Sequence, residues 1–354
     1  MYLLSTMLCF RMYHLSNGFI TFNSKKYIAI PVIANVVVYL LILFALRYFL
    51  SIVELGPIVL SFHILNNVLI AFNFTVVSLL NIHQSQANIQ LILETQEVER
   101  RLHSDGDKKH AKILMWVMSI GISLVYFILI FTKISLDSYS SGSRCFLVAF
   151  SGILEVEVIY EFFFVYYMGL KLKTWNNVYA ESVSVMAVKD GIATYKTMFT
   201  SFEAIVLTSS SIKKYAKYSV LLHFVTTFTQ TISYIAILIL GFKNEGNRTT
   251  EFTSHAVSTL LWISKGIIID ILLCITSEIY YKELLRANVA LIRFTTYPFS
   301  KIIRRLAMNA LRINKIHNMD KISGVFFVVD ASLPLHFIAV LANYVLVLVQ
   351  FAVL

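Results

Sequence analysis

Ionisable residues standing inside long apolar runs carry the most chemical information in this sequence. Lys265 lies deep in the run 255–281, Asp270 follows it, and Glu155, Glu157 and Glu161 lie within 145–170. Glu157 and Glu161 are four apart and share a helix face, so their repulsion calls for a cation or water nearby. Charges in such runs persist where they are paired or face a watery cavity. Two readings stay open: a structural ion pair, such as Lys265 with one of the glutamates, or a polar site for a ligand. Catalysis is not indicated. His63, His83, His223, His255 and His336 are scattered, no Gly-rich phosphate loop occurs, and Cys9, Cys145 and Cys274 have no metal-ligand spacing. The chain is expected to be no enzyme and to need no cofactor or metal.

Polar groups recur around the same depth in several runs. His63, Asn66, Asn67 and Asn73 occupy one, Gln230, Ser233 and Tyr234 another, and Ser258, Trp262 and Lys265 a third. An aromatic wall with a few convergent hydrogen-bonding groups suits a small-molecule pocket. Each stripe alone equally suits helix-to-helix hydrogen bonding. The candidate ligand residues are therefore Asn66, Asn67, Glu155, Gln230, Tyr234, Ser258, Trp262 and Lys265.

A different pattern marks the final stretch, 332–354. His336, Asn343 and Gln350 follow one another at steps of seven. A step of seven drifts only about 20° around a helix, so they share a stripe with Val340, Val347 and Leu354. That stripe reads either as interhelical glue or as the lining of a pore. One such helix encloses nothing; several copies around an axis do.

The elements that must position these groups follow from composition. With 58% hydrophobic and 14% charged residues and a mean hydropathy of +0.73, the chain reads as an all-α membrane protein. Hydrophobic runs place spans at approximately 27–50, 57–82, 112–134, 145–170, 217–242, 255–281 and 332–354, seven in all. Pro31, Pro57, Pro298 and Pro334 fall at helix beginnings. Without interior prolines, a transporter built on broken helices is disfavoured. Residues 1–10 lack a basic n-region, so no signal peptide is expected.

Most of the 30 basic residues fall in the N-terminal segment and the second, fourth and sixth connections, against Lys133, Arg144, Lys243 and Arg248 in the others. The positive-inside rule then expects a cytosolic N-terminus and an extracellular C-terminus, opposite to a G-protein-coupled receptor. Asn247-Arg248-Thr249, a glycosylation sequon at Asn247, falls on the expected outer side. The net charge of +10 sits beside hydrophobic spans, so membrane lipids rather than nucleic acid are the expected partners. The organisation expected is a cytosolic segment 1–26, a six-helix region 27–281 with an outward-facing pocket and long cytosolic loops, a cytosolic helical anchor 282–331, and the last span 332–354. Within the anchor, Ile302, Ile303, Leu306, Ala310 and Ile313 form one helix face and Lys301, Arg304, Arg305 and Arg312 another.

The nine residues Asn343-Tyr344-Val345-Leu346-Val347-Leu348-Val349-Gln350-Phe351 resemble the signature that closes the last helix of insect gustatory receptors: Thr-Tyr, five hydrophobic residues, Gln-Phe. Tyr344, Gln350 and Phe351 match at the right spacing; Asn343 stands where the signature has Thr. The resemblance implies a homotetramer or mixed tetramer in the plasma membrane, acting as a tastant-gated, non-selective cation channel. It implies a pore or gate at Asn343, Tyr344, Val347, Gln350 and Phe351, and a cytosolic anchor where subunits meet. The related insect odorant receptors share that architecture. Sugar and bitter tastants both stay open, although 354 residues is short for the sugar-receptor branch.

Overall fold

The computed structural model describes residues 13–16, 19–22, 32–40, 42–44, 47, 57–83, 85–102, 105–136, 141–180, 192–244, 249–296, 299–317 and 328–353. Almost all of these are helical. A first apolar helix, α1, lies within Val32–Phe44. It is followed by α2 (Pro57–His83), α3 (Ser85–Arg101), α4 (Asp105–Leu136) and α5 (Ser141–Trp175), which runs into a π-turn at Asn176–Ala180. Then come α6 (Ile192–Asn244), α7 (Thr249–Thr296), α8 (Lys301–Ile316) and α9 (Leu333–Val353). Six of the seven runs expected to span coincide with one of these helices or lie within it, and the described residues of the run 27–50 are helical.

One feature departs from the all-α expectation. Within the segment 1–26, β1 (Tyr13–Ser16) and β2 (Phe19–Phe22) pair antiparallel, with Tyr13 opposite Phe22 and Ser16 opposite Phe19. Asn17-Gly18 lies between them, the dipeptide most favoured for a two-residue hairpin connection, with aromatic and β-branched residues on its flanks. A short hairpin is a local signal that a search for long apolar runs passes over.

Helix lengths organise the rest. At 1.5 Å per residue the 53 residues of α6 rise roughly 80 Å, and the 48 of α7 roughly 70 Å. A bilayer's hydrocarbon core is only about 30 Å thick. Both helices therefore continue far past any membrane. There α3, the end of α5, the start of α6, the end of α7 and α8 build the largest hydrophobic core. Trp175, Met198, Phe202, Ile205, Ala287, Leu291, Phe294 and Ala307 are all buried in it.

Polar links fix the register of this extension. Trp175 Nε1 donates to the Met198 carbonyl at 3.0 Å, and Asn176 Nδ2 donates to the Glu283 carbonyl at 2.9 Å. Lys171, wholly buried, meets Glu99 Oε2 at 2.8 Å and donates to the Leu102 carbonyl at 3.2 Å. Arg101 Nη1 donates to the Thr200 carbonyl at 2.8 Å, and its Nε lies 2.6 Å from Glu97 Oε1. Its guanidinium, with that of Arg100, holds the Glu97 carboxyl below its ordinary value. Ser300 caps α8 by accepting from the Ile303 amide. That helix packs largely as its pattern requires: Ile303, Ala307 and Ala310 are buried, and Lys301, Arg304, Arg305 and Arg312 are exposed, but Ile302, read as part of the apolar face, is exposed as well.

The other helices turn large apolar side chains outward. On α4, Trp116, Val117, Ile120, Leu124, Phe127 and Phe131 are exposed. Among the described residues, helices at Lys109–Ile128, Thr259–Thr296 and Leu333–Gln350 are long and apolar enough to cross a membrane, with shorter apolar helices at Val32–Phe44 and Ile64–Leu80. An outward apolar surface of this extent has no stable place in water. The chain is a multi-pass helical membrane protein.

Candidate functional site

Five helices converge on a buried polar cluster beyond the extension. α7 contributes Lys265 and Trp262, α5 Glu155, α6 Gln230 and Tyr234, α4 Tyr126, and α2 Asn66. Lys265 Nζ lies 2.6 Å from Glu155 Oε1 and donates to the Tyr126 hydroxyl at 2.8 Å. It also lies 3.5 Å from the centre of the Trp262 ring and 4.3 Å from that of Tyr126. The two rings meet edge to face at 5.9 Å, and Tyr234 packs edge-on against Trp262 at 6.2 Å. Trp262 Nε1 donates to Gln230 Oε1 at 3.1 Å. Asn66 Nδ2 reaches the Tyr234 hydroxyl at 3.4 Å.

Close helix contact makes this convergence possible. A Cβ added to Gly266 would lie 2.8 Å from Thr227 Cγ2, so glycine lets α7 approach α6 beside Lys265. A Cβ on Gly152 would lie 3.0 Å from Tyr126 Cζ, so α5 offers bare backbone on which that ring rests.

A cavity of about 40 Å³ lies beside the cluster, lined by Asn73, Glu155, Ser219, His223, Thr226 and Gln230, among others. That volume holds roughly two or three water-sized groups. Glu155 Oε2 and Asn66 Oδ1 are buried without a hydrogen-bond partner among the described residues. Farther along, His223 Nε2 lies 3.2 Å from Asp270 Oδ1. Asn73 Nδ2 bonds to Thr226 Oγ1, and the Ser219 hydroxyl to Glu161.

Of the ligand candidates read from sequence, Asn66, Glu155, Gln230, Tyr234, Trp262 and Lys265 come together here. Asn67 is only half-buried and is not among the side chains that meet there. Ser258 lies on α7, but its side chain is outside the described residues, as are those of Glu157 and His63; Asn247 is outside them altogether. Tyr126 was missed in the sequence. Its polar companions at helical spacing are small serines, Ser119 and Ser123, which do not single it out, and only the fold brings Lys265 to it. The pairing of His223 with Asp270 was equally hidden, because the two lie on different helices. Both readings of the charges meet at one place: Lys265 is ion-paired with a glutamate, and the pair sits among the candidate pocket residues.

The last helix has two distinct faces. Phe337 packs against Phe224 and Phe228 of α6 at 6.0 and 5.9 Å. Tyr344 packs edge-on against Phe228 at 5.5 Å, and Leu341 is buried. About 100° round the helix from these, the stripe His336, Val340, Asn343, Val347 and Gln350 is exposed in the single chain, as are the apolar Leu335, Leu346 and Val349 beyond it. Tyr344 thus leans on α6 and not along that stripe. Phe351 is helical, and its side chain lies outside the described residues. Among the described residues no group of acidic, histidine and cysteine side chains could hold a metal ion.

No protein-family model and no curated protein sequence matches this chain. Among solved structures, the insect olfactory receptor OR5 from Machilis hrabei aligns over 92% of this chain and 89% of that one, with a TM-score of 0.55 at 13% identity. At that identity the likeness is one of fold, and it extends over nearly the whole length of both chains: this protein has the fold of an insect olfactory receptor.

Proposed function

We propose that the chain is a subunit of a ligand-gated, non-selective cation channel of the insect gustatory type. It works in the plasma membrane as a homotetramer or mixed tetramer and detects a small tastant. Seven helices span the bilayer, with the N-terminus cytosolic, the C-terminus outside and the helical extension in the cytosol. The observation that carries this reading is the two-faced last helix. One face is packed on α6, and the other exposes polar groups in register along its length. Polar side chains facing lipid are costly; around a symmetry axis the same groups line water. Gln350 and Phe351 then stand at the outer gate, beside Asn343 and Val347.

The buried polar cluster is the ligand site in this reading, formed by Asn66, Glu155, Gln230, Tyr234, Trp262 and Lys265, with Asn67 and Ser258 as further candidates read from the sequence. A short route joins it to the pore. Gln230 is two residues from Phe228, whose ring touches both Phe337 and Tyr344. A ligand that moves α6 therefore moves the helix that lines the channel, and favours whichever arrangement binds it better. An olfactory receptor of the same architecture is the second reading, favoured by the fold likeness to OR5; the Tyr344, Gln350 and Phe351 signature favours the gustatory one.

Single-channel recording from purified protein in planar bilayers tests the channel. Ligand-dependent unitary currents carried by both sodium and potassium are expected. Protein that binds ligand and remains electrically silent would remove the reading.

A further inference from the structure

Lys265 is held as a receptor holds a ligand's ammonium group. Two aromatic faces, Trp262 and Tyr126, lie within 4.3 Å of its Nζ, and one carboxylate oxygen lies at 2.6 Å. The negative face of an aromatic ring attracts a cation, and an anion completes the neutralisation. A structural lysine–glutamate pair needs the carboxylate and a few hydrogen bonds; it has no need of two rings. Groups other than the lysine also hold the walls in place. Gln230 fixes the Trp262 indole, and the bare backbone of Gly152 seats the Tyr126 ring.

Room for a second cation lies next door. Glu155 gives Oε1 to Lys265, while its Oε2 is buried without a partner and the residue lines the cavity. Among the described residues, Glu155, Glu161 and Asp270 are set in this interior against Lys265 and His223. These three carboxylates outnumber the two basic groups, so an added monovalent cation brings charge of the sign that is in the minority there.

We propose that Tyr126, Trp262 and Glu155 form a binding cage for the ammonium group of a small organic amine. In the unliganded protein Lys265 fills this cage as a tethered stand-in. An arriving amine takes the cage, and Lys265 crosses to Oε2 of the same carboxylate on the cavity side. The proposal rests on the ligand-gated reading for its consequence and supplies that reading with a ligand class.

Binding is tested on the purified full-length protein by thermal unfolding, without recording currents. Lys265→Ala empties the cage. n-Butylammonium chloride should raise the midpoint of this variant in a saturable way, while n-butanol at equal concentration and sodium chloride at equal ionic strength should not. Adding Glu155→Gln should weaken the butylammonium effect about tenfold or more, the loss expected for a charge-assisted contact. Equal stabilisation by sodium chloride, or none by any of the three, would overturn the proposal. If Lys265→Ala yields no folded protein alone, it is purified in butylammonium or in butanol. Recovery with the amine only supports the cage, and recovery with neither overturns it. Stabilisation by butylammonium in a protein without currents would remove the channel and leave the cage. Currents evoked by neutral compounds, with no butylammonium effect on Lys265→Ala, would do the reverse.

Discussion

Trp175 and Trp262 are both buried and both donate an indole hydrogen bond, yet their surroundings differ in kind. Trp175 donates to a backbone carbonyl and is wedged against Phe202 and Tyr179, at 5.1 and 5.9 Å, in the extension core. Trp262 donates to a side-chain amide, carries an ammonium over its face and stands beside a cavity. A backbone acceptor within a close-packed core has one arrangement, and shifting it disturbs the helices themselves. A side-chain acceptor beside a cavity is held by a rotatable bond, and moving it leaves the helix backbone in place. In the proposed channel the extension is the part that stays fixed and the polar cluster the part that responds, joined by the long helices α6 and α7 that both share.

That contrast can be broken by mutation, beginning with the largest effect. Trp175→Ala leaves a large cavity in the fixed region and should cost about 3–5 kcal/mol. Chemical unfolding in detergent would show it, and a cost below that of Trp262→Phe would erase the distinction between the regions. Next, Lys265→Met strands Glu155 and should destabilise by about 3 kcal/mol, whereas Lys265→Met with Glu155→Gln should recover most of it. Strictly additive losses in that double-mutant cycle would mean that the pair is not coupled.

A smaller effect is expected at the helix contact beside the cluster. Gly266→Ala drives a methyl into Thr227 Cγ2, for about 1–3 kcal/mol of overpacking. Thr227→Ser removes that methyl and should restore the midpoint; failure to do so would place the strain elsewhere. The smallest stability change belongs to the exposed stripe of α9, where function should move instead. Gln350→Glu should raise cation preference or divalent block, and Phe351→Ala should raise ligand-independent current by opening a hydrophobic constriction. Altered expression with conductance and selectivity unchanged would return the stripe to helix packing.

Helix positions were legible because hydrophobic runs and helix-opening prolines are local properties. Pro57 begins α2 and Pro334 lies in the first turn of α9, as read. The amphipathic face of α8 and the stripe of α9 follow from helical period alone. The Asn17-Gly18 hairpin signal is also local, and was passed over because a span search weighs length and not turns. Sequence likewise marked Lys265 and Glu155 as groups in need of partners, since a lone charge in an apolar run is costly wherever the run packs. Which partner each takes is a matter of helix rotation and approach. Gly152 admits Tyr126, Gly266 admits Thr227, and contacts between different helices, such as Lys265 with Tyr126, leave no periodic trace. Local pattern is enough to place the helices and to mark the charges that need partners. That Tyr126 meets Lys265, that His223 answers Asp270, and that Tyr344 leans on α6 follows only from packing, because each contact joins two different helices and depends on how they rotate and approach.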